Sequence, residues 1–584
     1  MTRRVVALAI GSLLALAACV FPQSATNTPA PSGASSGLGG QRGSGGDLKI
    51  VYWQAPATLN AHRATGLKDT DPSRLVLEPL ASLGKDGQVI ANGLAAAIPT
   101  VANGGIAKDF TTVTWKLRQG VKWSDGTAFS ADDVVFTYRY QCDPATGATT
   151  FGRCDGVQSV ASPDPSTVVV TYRSPHPFVY QWGVGTGGAI LQRDQYRSCV
   201  GTNAGDCPAD KRPIGTGPFK VRDFRPGDVV TFDANDNFRD PNKPFFRSVT
   251  WKAGSDPEAA ARAAFQAGDI DYAWNLQVDA TTLRNMAQNS QSANLVTVFG
   301  SSVERLELNF ANPDPALGDN RAEPDTKHPF FTDKAVRRAL AMATNRDGIA
   351  ERLFGKDLFG RATCNVLAAP DSISSPNTKG FDVCRFDLSA ANDELERAGW
   401  TKGADGVRAK GGVKLKVLFQ TNVNARRENI QLVLKKDWES VGFQVDLRSE
   451  SFTSFFTNTS PGGANRFWAD VQLYADGGDP DPTAYLSHWA SEQRASRSNN
   501  WLLANRARYS NKDFDAMLGQ LRTEVDPGKR AQIAVQANDL LVQDVAAIPL
   551  VQRSAVISGV GKSLKGVDPS PWDSEMYNVA DWTK

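Results

Sequence analysis

Net charge, histidine and long apolar runs are what this chain has least of. Lys and Arg number 64 against 62 Asp and Glu, a formal balance of +2. Removing residues 1–18, which carry Arg3 and Arg4 and no acid, brings that balance to zero. A neutral body lacks the electrostatic footprint of a nucleic-acid binder, so no nucleic-acid partner is expected. The four histidines, His62, His176, His328 and His488, are scattered, and no Cys-x-x-Cys occurs. That pattern argues against a zinc centre, and neither a metal nor another cofactor is expected. The N-terminal apolar run, Val5 to Ala18, is short for a membrane span. Two motif matches lack their context. Gly33-Ala34-Ser35-Ser36-Gly37 fits G-x-S-x-G, but no strand precedes it and no helix follows. Gly183-Val184-Gly185-Thr186-Gly187-Gly188 fits G-x-G-x-x-G outside any βαβ unit and reads as a mobile loop.

What is present is a long, ordinary globular composition. The 584 residues are 41% hydrophobic and 22% charged, with 51 Gly and 32 Pro, which implies two or three domains rich in turns. Arg3 and Arg4 followed by Val5–Ala18 form a targeting signal. Leu16-Ala17-Ala18-Cys19 resembles the lipobox of bacterial lipoproteins. The resemblance implies cleavage before Cys19, lipidation of Cys19 and anchoring on the outer side of the cell membrane. Residues 20–46, rich in Ser, Gly, Pro, Ala and Thr, read as a flexible tether spanning roughly 25–30 Å. The folded body is expected from Asp47. The remaining cysteines, Cys142, Cys154, Cys199, Cys207, Cys364 and Cys384, fall into three sequence-near pairs. In an exported protein, neighbour pairing is the simplest of the roughly fifteen arrangements six cysteines allow.

Strand and helix periodicities alternate along the body, which gives an α/β class in more than one lobe. Leu48–Trp53 and Thr112–Gln119 read as strands. Ser130 and Asp133 mark a capped helix start. Val336, Ala339, Leu340 and Ala343 recur at helical spacing behind a Thr332 cap. Ile548–Val551 reads as an exposed or edge strand because it holds Pro549. The stretch Asp470–Tyr485 stands out. Val471, Leu473 and Ala475 alternate with Gln472, Tyr474 and Asp476 as a strand with two unlike faces. It ends in Gly477-Gly478-Asp479-Pro480-Asp481-Pro482, a turn. Asp476 either stabilises that turn or meets a cationic ligand group.

In this order, the segments resemble the family 5 solute-binding proteins of ABC importers, the dipeptide- and oligopeptide-binding group. The resemblance is carried by Trp115–Thr127 with Ala131-Asp132-Asp133-Val134, and by Ile214-Gly215-Thr216-Gly217-Pro218-Phe219. It continues through Val336–Arg346, Glu394–Trp400, Asp479-Pro480-Asp481-Pro482 and Ile548-Pro549-Leu550. It implies a two-lobed fold like the periplasmic binding proteins (type II, large peptide-binding subclass), with an appended domain and a hinge. One lobe would take residues 47–90, 214–303 and 556–584, the appended domain 91–213, and the other lobe 304–555. The implied role is non-enzymatic: a monomeric receptor that holds a peptide between its lobes and delivers it to an ABC permease and its ATPase subunits. A non-peptide solute, such as an oligosaccharide or a nickel chelate, is the alternative cargo. An extracellular hydrolase using the acids of the Asp476 turn, with calcium, is a third reading, although the turn does not match an EF-hand loop.

The position of Asp476 is the family's acceptor for the ligand's α-ammonium. Backbone along Gln472, Leu473 and Tyr474 would pair with an extended peptide. Trp53 would line the cleft or sit in the core, Gln54 in the turn after it is a further ligand-binding candidate, and Trp53, Tyr474 or Trp468 would stack on a sugar. Asn60-Ala61, Leu473-Tyr474 and Asn345 depart from the family pattern. Arg426 and Arg427 are candidates for the peptide carboxylate, with solvated helix-start residues as the alternative.

Overall fold

The computed structural model describes residues 41–457 and 460–584. The expected signal peptide, Cys19 and the tether as far as residue 40 lie outside the described residues. The ordered body starts earlier than Asp47. Arg42 donates to the carbonyls of Lys243 (2.6 Å), Asp236 (2.6 Å), Phe238 (2.7 Å) and Asp240 (2.6 Å). A Ser/Gly-rich composition concealed one guanidinium whose fork finds four acceptors.

Eleven strands build one mixed sheet. In chain order they are β1 (Asp47–Tyr52), β2 (Phe219–Arg225), β3 (Val229–Ala234), β4 (Ser248–Lys252), β5 (Tyr272–Trp274), β6 (Ala293–Leu308), β7 (Gly360–Ala362), β8 (Lys416–Asn422), β9 (Gln444–Glu450), β10 (Val471–Asp476) and β11 (Ala547–Gly561). Across the sheet the order is β9-β8-β10-β6-β11-β5-β1-β4-β3-β2, with β7 also on β11. The long antiparallel pair β6 and β11 joins the two halves. Its register slips between Val298 and Phe299, between Phe299 and Val303, and between Glu304 and Arg305.

Each half has its own apolar core. Leu48, Ile50, Tyr52, Phe232, Trp251 and Trp582 pack around β1–β5. Leu306, Leu340, Leu434, Trp438, Val471 and Leu473 pack on the face of β6, β8 and β10. A third core, with Leu80, Trp115, Trp123, Val134 and Trp182, holds the region of strands Thr112–Lys116, Val157–Asp164 and Thr167–Tyr172. Its helix, Ala131–Cys142, opens on a capping box between Ser130 and Asp133.

Local chemistry explains the turn at Gly215-Thr216-Gly217. A Cβ on Gly215 would lie 1.9 Å from the Val76 carbonyl oxygen, and one on Gly217 would lie 2.6 Å from it. Only glycine allows the Gly217 N–H to reach that oxygen at 2.8 Å. The disulfides are Cys142–Cys154, Cys199–Cys207 and Cys364–Cys384.

Three expectations are corrected. Ile548–Val551 is not exposed: it is buried in β11, paired with β6, and β7 joins its other side only from Val551 onward. Pro549 sits at the register slip opposite Arg305, where a missing N–H breaks no ladder bond. Gly183–Gly188 is not a mobile loop but a packed turn, with Leu80 N–H on the Gly183 carbonyl (2.9 Å) and Gly185 N–H on that of Ala81 (2.9 Å). The cap of helix Lys334–Met342 is Asp333, one residue beyond Thr332.

Candidate functional site

β10 runs antiparallel to β6 along its whole length, from Val303 opposite Asp476 to Leu308 opposite Val471. It runs parallel to β8 only from Val471 to Leu473. β8 ends at Asn422, and the Val423 N–H turns to the Glu450 carbonyl at 2.7 Å. Tyr474–Asp476 are therefore paired on one side only among the described residues. This corrects the expectation for Gln472 and Leu473, whose backbones lie between two strands and have no free edge for a peptide. The Leu473 side chain is also core, fully buried beneath β10. Gln472 is fully buried too.

The other face of β10 carries a charge cluster that sequence reading missed. Arg305, opposite Tyr474 on β6, is fully buried. Its Nε donates to Glu307 Oε1 (2.5 Å) and one terminal nitrogen to the Tyr485 hydroxyl (3.0 Å). The other terminal nitrogen reaches Asp476 Oδ2 at 3.5 Å. The guanidinium carbon stands 5.0 Å from the centroid of the Tyr474 ring, 5.5 Å from that of Tyr485 and 5.2 Å from that of Trp489. Asp476 also meets His488 Nδ1 at 3.2 Å and accepts from the Gly477 N–H at 2.9 Å. Burial pushes the Asp476 carboxyl up, but His488, Arg305 and the Gly477 N–H together hold it well below the usual carboxylate range. It is thus an ionised carboxylate, with 29% of its side chain open to solvent.

One residue along β6, Glu304 gathers cations. Arg427 meets it with two bonds (3.2 and 3.1 Å), and Arg553 approaches at 3.4 Å. Arg426 lies over the rings of Phe354 and Phe359, 4.9 and 5.2 Å from their centroids. Burial and the neighbouring charge of Arg553 lower its pKa. Arg427 is a buried partner of Glu304, not a solvated helix-start residue. Arg426 is half-buried.

The turn after Asp476 faces the region of residues 91–213. A cavity of about 540 Å³ lies between Ser174, His176 and Phe178 on one side and Asp479, Asp481 and Ser487 on the other. A second, of about 380 Å³, is bounded by Lys85, Gln88 and Trp572 opposite Phe299, Arg361 and Gln552. Gly87 and Pro480 meet between them, a Cβ on Gly87 lying 3.2 Å from the Pro480 side chain.

Trp53 follows β1 directly, donates to the Asn275 carbonyl (3.0 Å) and stacks on Trp274 with ring centroids 6.0 Å apart. Gln54 is exposed. Neither is bonded to the Asp476 cluster among the described residues. The sugar-stacking platform is not assembled. Arg305 and Arg506 stand over Tyr474, and Arg321 and Arg466 over Trp468. Trp468 lies before the far end of β10. A signal for Arg305 existed in Glu304–Phe310: a charge on an alternating strand with buried neighbours requires a counter-charge across the sheet.

The profile of the bacterial extracellular solute-binding proteins, family 5 Middle, matches residues 94–497. The oligopeptide-binding protein AppA of Bacillus subtilis is 27% identical over 468 residues, 79% of each chain. The glutathione-binding protein GsiB of Shigella flexneri is 24% identical over 521 residues, 85% of this chain and 87% of its own. The structure of B. subtilis AppA in complex with a nonapeptide superposes with a TM-score of 0.65 at 22% identity, covering 93% of this chain and 99% of that one.

Proposed function

Because the chain belongs to family 5 of the bacterial extracellular solute-binding proteins, we propose that it captures a peptide between its lobes, with the ligand's α-ammonium at Asp476. Lipid-anchored through Cys19, it would hand that peptide to an ABC permease. The observation that carries the peptide reading is the end of β10: an ionised, part-exposed carboxylate beside an edge at Tyr474–Asp476 that no second strand pairs among the described residues. An ammonium bonded there gains a charge-assisted hydrogen bond in a partly dry site, and the edge offers main-chain hydrogen bonds to an extended chain. Arg305 and His488 do not block this role, since they hold the carboxylate ionised and oriented. Glu304, with Arg427, Arg426 and Arg553 around it, leaves excess positive charge for the peptide carboxylate.

Native mass spectrometry of the full chain as purified tests this reading, followed by calorimetric titration with whatever peptide is recovered. Stoichiometric, saturable peptide binding is expected. A non-peptide mass in the cleft would overturn the peptide assignment.

A further inference from the structure

A second cavity-borne site lies at the opposite end of β10. The strand spans roughly 17 Å from Val471 to Asp476. Before Val471 the chain passes through Arg466 and Trp468, and beyond Leu308, the partner of Val471, it leads to Arg321. Arg321, Arg466 and Arg497 line a cavity of about 410 Å³ with Trp468, Trp501 and Asp319. One carboxylate thus faces three guanidiniums, and it is already taken: Asp319 pairs with Arg497 at 2.6 Å. Arg321 donates to the carbonyls of Pro313 (2.5 Å) and Trp468 (3.1 Å) and has no carboxylate partner among the described residues. The Arg466 carbonyl accepts from Arg508 (3.0 Å), but its guanidinium makes no hydrogen bond or ion pair among the described residues and stands, at its carbon, 5.2 Å from the Trp468 ring centroid. Its Nε and the indole nitrogen of Trp468 are both shut off from solvent without an acceptor.

These groups can only donate, and a buried donor without an acceptor costs about 1–3 kcal/mol, more when charged. Burial, with the charge of Arg448, lowers the Arg321 pKa against the opposing pull of Asp314 and Asp470. We propose that this cavity binds a phosphate group carried by a small organic molecule. A phosphate offers three oxygens to guanidinium forks arriving from three separate chain segments, where a carboxylate offers two. The volume exceeds what inorganic phosphate fills and suits a phosphorylated polyol or monosaccharide. The site is independent of the cleft at Asp476.

The test is isothermal titration of the full chain with inorganic phosphate and with glycerol 1-phosphate, at constant ionic strength, with acetate as the anion control. Saturable one-site binding is expected, tighter for the ester. Arg466→Gln should weaken it at least tenfold, and Arg466→Lys by less. Thermal unfolding checks that both variants are folded, and both should retain peptide affinity. Absence of saturable phosphate binding, equal binding of acetate, or undiminished binding by a folded Arg466→Gln variant would each overturn the assignment.

Discussion

Replacing Arg305 by Met removes one buried cation and strands two carboxylates while keeping most of the side-chain volume. Glu307, with 4% of its side chain exposed, loses a partner at 2.5 Å. Asp476, at 29%, loses one at 3.5 Å but keeps His488 at 3.2 Å. Most of the loss therefore falls on Glu307, because water and His488 screen Asp476. Breaking a buried pair typically costs about 3–5 kcal/mol, and three ring contacts disappear as well. Urea unfolding at neutral pH should show a loss of about 4 kcal/mol. The double variant with Glu307→Gln should recover about 1–3 kcal/mol of that as coupling. The pH dependence has a definite sign. The Asp476 pKa is depressed in the folded state, so its contribution is present above the unfolded value of about 3.8 and is lost as pH falls below it. Arg305→Met should flatten that acid arm. A loss below about 1 kcal/mol, or strictly additive single variants, would refute the pairing argument.

Two further substitutions probe other parts of the fold. Glu575 accepts from Ser558 (2.9 Å) and Tyr272, and burial with the charge of Asp71 pushes its pKa up to about 8. The folded state then holds a proton that the unfolded chain releases, so stability falls as pH rises from about 4.5 to about 8. Glu575→Gln should remove up to about 1.4 kcal/mol per pH unit of that slope; an unchanged slope in chemical denaturation would assign it elsewhere. Gly215→Ala would drive a Cβ to 1.9 Å from the Val76 carbonyl oxygen. It should destabilise the protein by about 3 kcal/mol or more, and a fully stable variant would contradict the close approach.

Features set by neighbours in sequence were the legible ones. The β10 strand follows from the period of two, the Ser130–Asp133 cap from its spacing, and the turn at Gly477–Pro482 from its composition. The three disulfides also join sequence neighbours. What stayed hidden depends on residues distant along the chain. Arg305 and Asp476 are 171 residues apart, and Arg427 and Glu304 are 123 apart. The alternation around Arg305 signals that it needs a counter-charge, but nothing local says which distant carboxylate supplies it. Pro549 signalled a strand paired on one side but not its burial, and the register slip beside it belongs to the pairing with β6. Leu473 and Gln472 were read as site residues because β8 beside them is invisible from β10 alone. Arg42 was lost in a stretch whose composition reads as tether.

The central claim is that a ligand ammonium meets the Asp476 carboxylate. The most direct measurement is calorimetry of one peptide, recovered with the protein, in free and N-acetylated forms. The free form should bind wild-type protein at least tenfold more tightly, about 1.4 kcal/mol or more, and Asp476→Asn should erase that difference. Equal affinity of the two forms for the wild-type protein would contradict the account.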